Sequence, residues 1–266
     1  MTATHDPATI VDLDRYPLGD PAASSALASS LGARLRDEGV AVLPGFVRAE
    51  AVDRIVAESD ALAPDGHHSR VTNTVYLSAP DDAFAPEHPR RRAVVSALRA
   101  VAADQIPVTS PLWALYDWPV LREFIAAVLA LDEIHPYADP LGKLNIAVMG
   151  PGDELGWHFD QTDFVTSIAL RGAGGGGDFE VAADLRTADD ERVEHVTAVL
   201  EGDRSAVRRW PFDPGTLMIF AGRRSLHRVT PISTEPARLV ALLAYDSAPG
   251  TNSSERLKLV RYGRTA

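Results

Sequence analysis

Apolar residues follow two rhythms along this chain, and the change falls near residue 134. Residues 24–38 (SSALASSLGARLRDE) space Ala and Leu as a helix does, and Gly39 suits its C-terminal end. Residues 40–46 (VAVLPGF) are a short apolar run closed by Pro-Gly, which predicts a buried strand. Ala49–Leu62 returns to helical patterning. Residues 64–89 are polar and Pro-rich, with one strand-like piece at 71–77. Helical patterning is also expected over 91–101 and over 112–131, the latter interrupted near Pro119.

Beyond residue 134, strand-length pieces follow one another: LNIAVMG, LGWHFDQ, FVTSIALR, GDFEVAA, GTLMIFA, LHRVTPI and RLVALLAY. Gly and Pro clusters separate them, as in an antiparallel sandwich or barrel. The tract at 172–177 (GAGGGG) is too short to link domains and predicts a loop. The charged stretch 186–209 predicts an exposed excursion between strands. The fold class expected is mainly β with flanking α. A single domain spans 1–266, with a helical part carrying the first strands (about 1–133) and a β core (about 134–266).

Composition narrows the function. With 266 residues and 45% hydrophobic content, the chain can bury one substantial core. A formal charge of −11 argues against nucleic acid as a partner. No run of 18 apolar residues exists, so no membrane span is expected, and the N-terminus lacks a basic stretch followed by an apolar one. These features predict a cytoplasmic protein acting on a small molecule and leave its oligomeric state open. The absence of cysteine excludes disulfides, thiolate catalysis and Cys-held zinc or iron–sulfur sites. A bound metal must therefore take His, Asp or Glu.

The segment containing His158-Phe159-Asp160 reads as a strand. Side chains at i and i+2 of a strand share a face, so the imidazole and the carboxylate can enter one cavity. His227 lies 69 residues further on, in GTLMIFAGRRSLHRVTPI. Two imidazoles and one carboxylate form the facial triad that suits non-haem Fe(II) and leaves positions open for other ligands. Zinc accepts the same set, so a cupin-like metal hydrolase or isomerase is the rival reading. Arg238 follows His227 by 11 residues and opens the apolar run LVALLAY. A guanidinium at the start of a buried strand is costly unless a ligand carboxylate pairs with it.

With WHFD (157–160), HRVTP (227–231) and Arg238 in this order, the sequence resembles the Fe(II)/2-oxoglutarate oxygenase superfamily. That resemblance implies a double-stranded β-helix (jelly-roll, cupin-like) core. It also implies Fe(II) on His158, Asp160 and His227, 2-oxoglutarate with its far carboxylate on Arg238, and O2. No catalytic side chain is then needed beyond the metal ligands. Many relatives carry Ser or Thr two residues after the Arg, where this chain has Val240; Asn145 and Thr166, on flanking strands, are the candidates to replace it. The stretches DPLGKLN, WHFDQTDF, GGDFE and PGTLMIFAGRRSLHRVTP are similar to the bacterial free-amino-acid halogenases and their hydroxylase relatives. Halogenating members carry Gly in place of the carboxylate ligand, so Asp160 implies hydroxylation of an unactivated C–H, with desaturation or cyclisation as alternatives. A free amino acid or derivative in natural-product biosynthesis is the implied substrate. Trp157, Gln161, Asp163 and Arg92 are the candidate substrate contacts.

Overall fold

The computed structural model describes residues 5–266, so the first four residues of the N-terminal stretch lie outside it. In chain order the elements are α1 (Pro21–Glu38), β1 (Val40–Leu43), α2 (Ala49–Leu62), β2 (His67–Asn73), β3 (Val94–Val101), α3 (Pro111–Tyr116), α4 (Pro119–Leu129), β4 (His135–Pro136), β5 (Leu144–Met149), β6 (Glu154–His158), β7 (Val165–Arg171), β8 (Phe179–Ala182), α5 (Val193–Glu201), β9 (Val207–Trp210), β10 (Leu217–Phe220), β11 (Leu226–Val229), β12 (Arg238–Leu243), β13 (Tyr245–Asp246) and α6 (Glu255–Tyr262). Three short 3-10 turns stand among them.

Eleven strands form one curled antiparallel sheet in the order β1-β10-β7-β12-β5-β3-β6-β11-β8-β9, with β2 on the free edge of β3; β4 and β13 pair separately. The curl turns at β3, whose inner edge is shared: Arg99–Val101 pair with β5 and Ser96–Ala97 pair with β6. This gives a jelly roll with a larger leaf (β1, β10, β7, β12, β5) and a smaller one (β6, β11, β8, β9). Three apolar layers follow from strand alternation. On the outer face of the larger leaf, Ile168, Ile219, Leu239 and Ala241 pack under α1 to α4. Between the leaves lie Met149, Phe179, Val181, Phe220, Val229 and Ile232. Outside the smaller leaf, Trp157, Phe159, Ala182 and Leu226 pack against Val196 and Val199 of α5.

Local chemistry sets the boundaries near the site. Asp20 caps α1 by accepting from the amides of Ala22 and Ala23, and Gly39 ends it at φ +73°, a conformation glycine adopts without strain. Pro119 separates α3 from α4 as predicted. The prediction of helix over 91–101 is corrected, because Val94–Val101 of that segment is β3. Its Ala, Leu and Arg favour helix locally, but partners on both edges outweigh that preference, and its β-branched Val94, Val95 and Val101 were the strand signal. The strand piece expected at 71–77 lies earlier, at His67–Asn73. The excursion at 186–209 holds two ordered elements, α5 and β9. The sheet also crosses the expected boundary near residue 134, since β1, β2 and β3 belong to it. Among the described residues, no helix is long and apolar enough to cross a membrane.

Candidate metal centre

His158 and His227 are direct cross-strand partners on β6 and β11, so alternation turns both rings to the interior, with centroids 4.2 Å apart. Asp160 sits just beyond β6 in a loop held by two backbone bonds, Phe159 N–H to the Val75 carbonyl (2.8 Å) and Asp160 N–H to the Gly222 carbonyl (3.0 Å). Its carboxylate oxygens lie 3.7 Å from His158 Nε2 and 3.3 Å from His227 Nε2. The three residues can present one ligand atom each within 4.8 Å of one another. Each ring donates its Nδ1–H to a backbone carbonyl, His158 to Gly156 (2.7 Å) and His227 to Ser225 (2.9 Å). A carbonyl only accepts, so when each ring is neutral its Nε2 faces inward with the lone pair.

Burial and the neighbouring His227 ring push His158 down to about 4, so it is neutral at pH 7 and ready to ligate. Burial opposes ionisation of Asp160, but the two imidazoles outweigh it and hold the carboxyl below its ordinary value. Burial also pulls His227 down, yet Asp160 beside it wins and raises it. Asp160 Oδ2 is buried and, among the described residues, accepts no well-aligned hydrogen bond, His227 Nε2 lying 3.3 Å away. The attraction that shifts this pair is what a bound cation would satisfy.

Arg238 opens β12 directly opposite Met149 of β5, so it faces the same interior as the triad. It is 7% exposed, and its guanidinium makes no hydrogen bond or ion pair with any described residue; it lies 5.1 Å above the Phe212 ring. Burial alone pulls it down to about 10. Aromatic rings connect the two ends of this interior: His227 is 5.9 Å from Phe179, and Phe179 is 6.5 Å from Phe212.

A family model described as halogenase D matches residues 23–257. The chain belongs to the halogenase D family. No curated protein matches the sequence. Among solved structures, a 2OG-Fe(II) oxygenase family oxidoreductase from Burkholderia pseudomallei is similar at 18% identity and TM-score 0.54, over 85% of this chain and 93% of that one. AviO1 from Streptomyces viridochromogenes Tue57 is similar at 17% identity and TM-score 0.56, over 85% and 97%. The α-ketoglutarate-dependent epimerase SnoN from nogalamycin biosynthesis is similar at 17% identity and TM-score 0.55, over 83% and 82%. The fold of this halogenase D family chain is thus the jelly roll of the 2OG-Fe(II) oxygenases, as its motifs implied.

The remaining predicted residues separate by face. Asn145 pairs with Leu242 and looks inward from the same face as Arg238, donating to the Gly142 carbonyl (3.2 Å). It stands four residues from the partner of Arg238, about 13 Å along the strand, and so lies towards the metal end. Thr166 is corrected: it pairs with Ile219 and Leu243, whose side chains pack under the helices, so its hydroxyl points away from Arg238. Its neighbour Ser167, opposite Met218 and Leu242, holds the inward place. Trp157 is also corrected. Adjacent to His158, it points outward and packs with α5, with Arg228 4.8 Å from its ring centre. Gln161 and Asp163 are exposed on the metal loop, where Arg223 donates to the Gln161 carbonyl and pairs with Asp163 at 2.5 Å. Arg92 is half-buried and makes no side-chain hydrogen bond or ion pair with a described residue.

Two contributors escaped the sequence analysis. Gly222 lies against Asp160, where a Cβ would come 2.0 Å from Oδ2. Arg186 joins two loops, donating to the carbonyls of Arg223 (2.5 Å) and Asp160 (3.4 Å) while lying 4.3 Å over the Phe159 ring. The glycine between FA and RR was a visible signal of close approach; nothing local marked Arg186.

Proposed function

We propose that the chain is an Fe(II)- and 2-oxoglutarate-dependent oxygenase that hydroxylates an unactivated C–H bond of a small molecule, a free amino acid or its derivative. The residues fit the metal: both Nε2 atoms converge on the Asp160 carboxylate, whose buried Oδ2 accepts no well-aligned hydrogen bond from a described residue, and Gly222 leaves room for it. His158, Asp160 and His227 would hold iron, and Arg238 would take the far carboxylate of 2-oxoglutarate. With O2, that pair supplies C–H oxidation, releasing succinate and CO2 as one oxygen atom enters the product.

The protein's part is to bind, orient and keep the site dry. The backbone acceptors behind the two Nδ1 atoms fix each ring in the ligating tautomer. Asp160 supplies a negative charge that partly balances a divalent ion. Phe179, Phe212 and Phe220 wall the space between triad and Arg238 and exclude water from it. Asp160 also bears on the family's name. A carboxylate ligand occupies the position a halide would need, which favours hydroxylation over halogen transfer.

One observation carries the proposal: Arg238 is a buried cation that no described acidic side chain neutralises, on the face shared with the triad. A bidentate carboxylate is the partner such a group requires. The test is to supply Fe(II), 2-oxoglutarate, O2 and chloride with a panel of amino acids, then measure succinate and product mass. Succinate with an oxygenated product is expected; a chlorinated product would overturn the hydroxylase assignment, and succinate absent across the panel would contradict the oxygenase itself.

A further inference from the structure

A cavity of about 580 Å³ lies beside the metal loops, between the C-terminal ends of α1 and α4 and residues 186–191 and 221–224. His158, Asp160 and His227 do not line it. Ala221 and Arg223 line it and flank Gly222, against which the Asp160 carboxylate rests. Asp163, three residues after the ligand, lines it as well.

Its charge is unusual for this chain. Four arginines line it: Arg36, Arg186, Arg223 and Arg224. Asp163 and Glu191 are the two acids among the lining residues, and both are engaged: Asp163 by Arg223 at 2.5 Å, and Glu191 by two bonds from Arg90 at 3.2 and 2.5 Å. Arg224 lies 3.5 Å from Asp184. Arg36 makes no side-chain hydrogen bond or ion pair with a described residue, and Arg186 bonds only to carbonyls. The exposed Arg36 and the half-buried Arg186 therefore border the cavity with no ion pair to a described acid, although Glu191 and Asp160 both act on the Arg186 charge, in a protein of net charge −11.

We propose that this cavity binds an oxyanion-bearing part of the substrate, a carboxylate or a phosphoryl group. The inference rests on the oxygenase reading for its link to catalysis. Guanidinium forks match both oxyanions, and the volume lies in the range of small-molecule sites. Arg186 gives the cavity a direct tie to the metal loop: one guanidinium bonded to the Asp160 carbonyl can also bond a ligand, anchoring one end of the substrate beside the loop that carries the metal ligand.

The test uses the full chain stripped of metal on a chelating resin and titrated calorimetrically with inorganic diphosphate and, separately, with citrate. At least one should bind at a single site, and Arg36→Glu should weaken it about tenfold or more. Arg186→Lys, which keeps the charge but loses the fork, should weaken it less. Tighter diphosphate binding assigns the phosphoryl source, and tighter citrate binding the carboxylate source. Absence of binding to either, binding indifferent to Arg36→Glu, or binding lost instead in Arg238→Met would overturn the proposal. Because iron and 2-oxoglutarate are both absent, failure here is distinct from failure of the oxygenase reading.

Discussion

At one end of the interior surface, Asp160 lies between two imidazoles 3.7 and 3.3 Å from its oxygens; at the other, Arg238 is buried over a phenyl ring with no described acid paired to it. Both ends hold charge away from water, yet only the first has its counter-charge within the chain. The difference separates two kinds of site. The triad is preorganised, its rings fixed by backbone carbonyls and its carboxylate held by the imidazoles, so a cation refines an arrangement that already exists. Arg238 is left uncompensated, and the unliganded chain bears the cost of keeping it ready. Substitutions at the two ends should therefore move stability in opposite directions while both impair function.

The largest effect is expected for His227→Ala. Iron content by metal analysis and 2-oxoglutarate turnover should both fall to background, and the unliganded chain should lose stability because Asp160 loses its nearer imidazole. Arg238→Met comes next and carries the contrast. Affinity for 2-oxoglutarate should fall by about two orders of magnitude, as befits loss of a bidentate charged contact. The unliganded chain should instead gain about 1–3 kcal/mol, read as a Tm higher by roughly 2–4 °C per kcal/mol. A drop in Tm would mean that the chain neutralises Arg238 in solution, and the comparison would break. Gly222→Ala sharpens the first end alone. Its Cβ would meet the Asp160 carboxylate, so iron affinity should fall about 10- to 100-fold in a competition titration, with KM for 2-oxoglutarate unchanged at saturating iron. Smallest is Thr166→Val. Its hydroxyl is buried without a partner on the helix-packed face, so KM for 2-oxoglutarate should not change and stability should rise by about 1 kcal/mol.

These contrasts also mark what the sequence could convey. The strands of the core were legible because each buries at least one apolar face between Gly and Pro breaks, and α2 was legible to the residue. His158 follows period-2 alternation, which would also have turned its neighbour Trp157 outward, whereas Asp160 lies past the strand end and is brought to the same interior by its loop's bonds to Val75 and Gly222. Thr166 needed register as well as period: only its pairing with Ile219 and Leu243 reveals which leaf face it occupies. Strand β3 looked helical because its residues favour helix when considered alone, and its partners lie far away in the chain. Arg186 was invisible for the same reason, since its two acceptors belong to loops 26 and 37 residues distant.

The central claim is that one interior surface holds iron at the triad and 2-oxoglutarate between the triad and Arg238. The most direct measurement is an anaerobic titration of the Fe(II)-loaded chain with 2-oxoglutarate, following the metal-to-ligand charge-transfer absorption. The account predicts a saturable band in the native chain, a band requiring far more 2-oxoglutarate in Arg238→Met, and none in His227→Ala. A native chain that binds Fe(II) yet develops no band at saturating 2-oxoglutarate would contradict it.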